Sequence, residues 1–281
     1  MKTLNVVLLS SLATVALSIT SCKKASEKVD EFKTTIELST NQAVADNLTQ
    51  DANDVFSEAA ADNNLMGGRP SGVLITNNVL SCATVTVTGN FPNKLIVVDF
   101  GAGCTSINGV YRKGKINIVL TDSVRKTGST ATLTFNNYYV NTYQKEGTIV
   151  WTNTTVQGSG TRSWNRKVTN GKITSATGTY WLHTSDANIT QTSGVATPLN
   201  LTDDVYTITG TRTVTNSTGD SRTATTITPL QKKANCNNID QGILKIQSTN
   251  HFALIDYGSG TCDNAATISI DGRPSVNITL R

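Results

Sequence analysis

The chain has 281 residues, 37% hydrophobic and only 16% charged, with 24 Lys and Arg against 20 Asp and Glu and two histidines. Its net charge of +4 is mild and scattered, which gives no support for a nucleic-acid partner, and two histidines leave little from which to build a His-rich metal centre. Twenty-one glycines, with more Thr and Asn than Glu, Leu and Ala, favour short strands and tight turns in a chain long enough for one large β domain or two smaller ones.

At the N-terminus, Lys2 precedes an apolar run from Val6 to Ile19, too short for a membrane span and suited to a cleavable secretion signal over residues 1–21. The run ends in Ile19-Thr20-Ser21-Cys22, which resembles the lipobox of bacterial lipoproteins. That resemblance implies that Cys22 becomes the first mature residue and carries the lipid anchor, so that the membrane is a partner through the lipid. Lys23, in the position where Asp retains lipoproteins at the inner membrane, implies an outer-membrane address.

Residues 22–39 read as a tether, because 23–35 are charged and lack a clear period. A helix and linker follow over 40–66. Val44, Leu48, Ala52, Val55, Phe56 and Ala59 recur at helical spacing, Ser39 or Thr40 is available as a cap, and the acids fall on the opposite face. Gly67, Gly68 and Pro70 mark the break into a β domain over 67–281.

That domain is read as two related halves, about 72–155 and 172–281. One contains Asp99-Phe100-Gly101-Ala102-Gly103-Cys104 and the other Asp256-Tyr257-Gly258-Ser259-Gly260-Thr261-Cys262, each closing an apolar strand. Beyond an export signal the four cysteines Cys82, Cys104, Cys236 and Cys262 imply disulfides, with three connectivities open. The repeat favours pairing within each unit, Cys82 with Cys104 and Cys236 with Cys262. A second repetition sets Tyr143-x3-Gly147-Thr148 beside Tyr206-x3-Gly210-Thr211, as successive strands of a meander. The fold class expected is all-β, an antiparallel meander or sandwich-like sheets from an internal duplication, with one short N-terminal helix.

Signal, lipobox, helix and the DFGxGC and DYGxGTCD units together resemble a broad group of Gram-negative lipoproteins. The resemblance implies location and fold class and supplies no catalytic residue.

The remaining motifs argue against chemistry. Asp99-Phe100-Gly101 matches the magnesium motif of kinases without the rest of the kinase set, and is read as a strand end whose Asp bonds turn amides. Ser259 lacks the spacing of a nucleophile elbow. No metal, cofactor or catalytic residue is expected. Trp164, flanked by Arg162 and Arg166 in a setting for cation–π contact or stacking on a sugar ring, is a candidate ligand-binding residue together with Trp181 and His183, which share one strand face; the plainer reading of the two tryptophans, and the one that weighs more, is half-buried sheet aromatics. The expected role is that of a lipid-anchored, non-enzymatic envelope or surface protein, binding or structural. Its alternatives are a surface glycan-binding protein, a pilus or adhesin subunit, and a secreted hydrolase; polysaccharide or another envelope protein is the expected partner.

Overall fold

The computed structural model describes residues 20–67, 79–198 and 200–280, with side chains of the helix described from Asp30 onward. The expected signal peptide, up to residue 19, and the expected break over Gly68–Pro70 lie outside the described residues. One helix, α1 (Thr20–Asp62), is followed by β1 (Thr84–Thr88), β2 (Lys94–Asp99), β3 (Cys104–Thr105), β4 (Tyr111–Leu120), β5 (Thr130–Val140), β6 (Tyr143–Asn153) and β7 (Arg162–Thr174). The chain then forms β8 (Tyr180–Ser193), β9 (Val205–Asn216), β10 (Ser221–Lys233), β11 (Gln241–Gln247), β12 (Phe252–Ser259), β13 (Ala265–Ile270) and β14 (Val276–Thr279). All fourteen strands belong to one antiparallel sheet in near-sequential order, with β3 as a side branch on β4. The expected all-β class with one N-terminal helix is therefore the observed one.

The sheet curls around the helix. Every residue from Gln42 to Ala52 is buried, so three turns of α1 are covered on all sides, and the apolar core is continuous from Leu38 on the helix through β2 to Leu280. One core serves both repeat units.

The strand alternation explains the burial. On β4, Ile116, Ile118 and Leu120 face the helix while Lys113, Lys115 and Val119 face out, as expected of a sheet with one wet face. Long strands can wrap a helix only if they bend, and the repeat glycines supply the bend. At Gly147 (φ 109°) the β6–β7 register shifts, and at Gly210 (φ 138°) the β9–β10 register shifts. An added Cβ would lie 2.6 Å from the Asn170 carbonyl oxygen at Gly147 and 2.2 Å from that of Asp186 at Gly210. No side chain fits so close to a neighbouring backbone, which is why the Tyr-x3-Gly-Thr pattern occurs twice.

Three expectations about the helix change. The segment 22–39, read as a tether, is helical, consistent with the intrinsic helix preference of its Lys, Glu and Ala residues. Ser39 and Thr40 are not caps: their hydroxyls donate to the carbonyls of Thr35 (2.6 Å) and Ile36 (3.1 Å) one turn back in mid-helix. The acids of the supposed wet face are inside the sheet as well, since Asp46 and Asp51 are 4% and 0% exposed. The helix ends in a Schellman motif: Asn64 is left-handed (φ 58°), its N–H donates to the Ala61 carbonyl and that of Leu65 to the Ala60 carbonyl.

Candidate functional site

The helix carries carboxylates into an apolar sheet, and the sheet answers Asp46, Asp51 and Asp54 each with a base. Asp51 receives Arg112 on both oxygens (Nη2 at 2.6 Å, Nε at 3.1 Å) and the Tyr138 hydroxyl at 2.8 Å. Asp46 receives Arg212 Nε at 2.8 Å and Gln42 Nε2 at 3.1 Å, and Asp54 pairs with Lys232 at 3.2 Å. Burial alone would lower the Arg112 pKa, but Asp51, Tyr138 and Asp54 together outweigh it and the pKa ends above the ordinary arginine value.

Two further interior cations have no carboxylate in salt-bridge contact among the described residues. Arg166 donates to Gln50 Oε1 at 3.1 Å and lies 5.3 Å over the Trp151 ring. Burial, and then Arg212, bring its pKa down to about 10. Lys145 reaches Thr49 Oγ1 at 3.1 Å and His183 Nε2 at 3.5 Å, and burial followed by the charge of Arg166 lowers its pKa to about 7. His183 is held well below its ordinary value by burial and then by Lys145, so it is neutral here.

At its N-terminal side the helix is fixed to the sheet by Glu31, which accepts from Ser248 Oγ (2.5 Å), Asn250 N (2.9 Å) and Asn250 Nδ2 (2.6 Å) in the β11–β12 turn. Those bonds, the Asn250 amide first, pull its pKa to about 2.

The four folded-domain cysteines pair within the repeat units, Cys82 with Cys104 and Cys236 with Cys262, at Cα separations of 6.2 and 5.2 Å. Asp99 and Asp256 play the same turn role, each accepting from the amide two residues on at 2.8 Å, and Phe100 and Tyr257 behind them are buried. Cys22 lies within α1, but its side chain is outside the described residues.

Trp164, Trp181 and His183 are placed on the concave, helix-facing side at 7%, 3% and 3% exposure, not on an outer stacking surface. The alternation that puts Trp181 and His183 on one face is right; that face is the core. Trp181 meets Tyr143 edge-on at 6.1 Å. Trp164 differs, because it lines a pocket between the C-terminal third of α1, the β4–β5 loop and strands β6 to β9. The pocket has a volume of about 30 Å³ and is walled by Phe56, Trp151, Trp164 and Tyr206, with Asn53 and Arg125 among its polar members. Next to it, Asp204 accepts from Gln191 Nε2 (2.7 Å) and the Tyr206 hydroxyl (2.8 Å), and burial pushes its pKa up to about 6.

Sequence reasoning missed the interior bases. A usable signal existed: Arg112, Arg166 and Arg212 are in phase with apolar neighbours Ile116, Val168 and Val214 on their own strands. Comparison with protein-family models, with curated proteins and with solved structures finds no match to this chain.

Proposed function

We propose that the chain is a lipid-anchored protein of the bacterial envelope with a non-enzymatic, binding or structural role, held on the outer membrane through Cys22. The observation that carries this reading is the continuity of α1: Cys22 belongs to the same helix whose residues from Thr35 onward are built into the core. At a rise of 1.5 Å per residue, the step from Cys22 to Thr35 places the anchor about 20 Å from the sheet interior, so the lipid would hold the domain on a helical post. The within-unit disulfides suit an oxidising compartment outside the cytoplasm.

Radiolabelled palmitate supplied to cells making the wild-type chain should enter the protein, and Cys22→Ser should lose both label and membrane association while keeping its β-rich circular dichroism. Label retained by Cys22→Ser would refute the anchor.

A second reading, assembly as a pilus or adhesin subunit, is favoured by the sheet edges: β1 and β14 each pair on one side only among the described residues, leaving edges that can accept an added strand. Its test is concentration-dependent polymer in native gels. Monomer at every concentration would remove it.

A further inference from the structure

We propose that the pocket beside Trp151 and Trp164 binds the acetamido group of an N-acetylated ligand, with the methyl among the rings and the amide paired to side chains at the rim. This goes beyond the anchoring proposal and does not depend on it.

The pocket sits far from the anchor. Its helix members run from Gln50 to Ser57, and from Cys22 to Asn53 the helix rises about 46 Å at 1.5 Å per residue.

Its size selects a small group. About 30 Å³ corresponds to two or three waters at 10–15 Å³ each, too little for a whole sugar or an aromatic ring but matched to a substituent of about four heavy atoms. The walls suit a methyl: Phe56 packs against Trp151 with ring centroids 6.4 Å apart, and Trp164 against Tyr206 at 6.3 Å.

One unmet donor and a rim carboxamide ask for a planar amide. Trp151 is 6% exposed, yet its buried Nε1–H has no acceptor among the described residues, a costly state for a buried donor. Trp151, with Phe56, Val124 and Trp164, also lines a smaller hollow of about 10 Å³. The Trp164 Nε1–H makes only a long 3.4 Å bond to the Val124 carbonyl, which already accepts from Asn153 at 2.9 Å. Half-buried Asn53, whose carboxamide both donates and accepts, lies at the rim. An acetamido oxygen would take an indole N–H, its N–H would give to Asn53 Oδ1, and its methyl would fill the apolar floor. A bare hydroxyl ligand supplies no methyl, and a free amine brings a charge with no carboxylate in the lining.

The test is direct because the chain has only three tryptophans. Indole N–H resonances of the full chain are recorded by ¹H–¹⁵N correlation during titration with N-acetylglucosamine, and with glucose and glucosamine as controls. The expected result is saturable movement of the Trp151 and Trp164 peaks with N-acetylglucosamine alone, while Trp181 stays still. Trp151→Phe, which keeps an aromatic ring and loses the donor, should weaken binding about five- to ten-fold; Asn53→Ala, at a half-exposed position, should weaken it comparably and guards against misfolding of the first variant. Equal movement with N-acetylalanine would assign the recognition to the amide and not to the sugar ring, within the same proposal. No saturable shift with either N-acetyl compound, or equal shifts with glucose, would overturn it.

Discussion

Removing one carboxylate from the centre of the molecule tests how the helix is held. Asp51 and Arg112 are both fully buried and joined by two hydrogen bonds of 2.6 and 3.1 Å, with Tyr138 on the second oxygen at 2.8 Å. Asp51→Asn keeps the shape and deletes the charge, leaving the Arg112 guanidinium in a dry interior. Breaking a buried pair from one side costs about 3–5 kcal/mol, a large part of the roughly 5–15 kcal/mol that holds a domain folded. In urea titrations of the unlipidated Cys22→Ser chain with disulfides intact, the midpoint should fall by more than about 1 M with an unchanged slope. Replacing both partners, Asp51→Leu with Arg112→Met, should recover most of the loss, because two apolar side chains carry no desolvation penalty. The coupling between the two sites should then exceed about 2 kcal/mol. A single-site cost below about 1 kcal/mol, the value of an exposed pair, would show that water reaches this site and refute the reasoning.

Lys145 sets a pH dependence. Its pKa in the folded chain is about 7, below the ordinary 10.4 or so, so between these values the unfolded chain binds a proton that the folded one does not, and this group makes stability rise with pH. Urea midpoints at pH 7, 8 and 9 should climb in the wild type and flatten in Lys145→Met; parallel slopes would contradict the assignment. Gly210→Ala should cost more than about 2 kcal/mol in thermal melts, since the new Cβ meets the Asp186 carbonyl oxygen at 2.2 Å at a φ of 138°; a loss under about 0.5 kcal/mol would mean that this bend is not fixed by the glycine. Trp181→Ala should lower stability by about 3–5 kcal/mol, as for a core aromatic, and a melt unchanged from wild type would return Trp181 to the surface.

Much of the fold was legible because it is local. Period-2 alternation, turn glycines and the paired Asp-aromatic-Gly units depend on residues a few positions apart, and they gave the strand-rich class and the disulfide pairing. The interior charges were not legible, because their justification is remote in sequence: Arg212 is at home in the core only because Asp46 waits on the helix, 2.8 Å away in space. Read alone, a base on a strand belongs in water. The helix acids and the helix's full length are hidden for the same reason, since a period on one face does not describe an element that is covered on all sides. For Trp164 and Trp181 the strand phase was available, but not which face the helix would cover.

Native-state hydrogen exchange across α1 tests the central claim that this helix is the inner core of the sheet. Amides from Gln42 to Ala52, buried on every side, should exchange only through global unfolding, with the same opening free energy as those of β8 and β9. Exchange of this segment by a cheaper local opening, while β8 and β9 remain protected, would mean that the helix rests on the sheet and does not fill it.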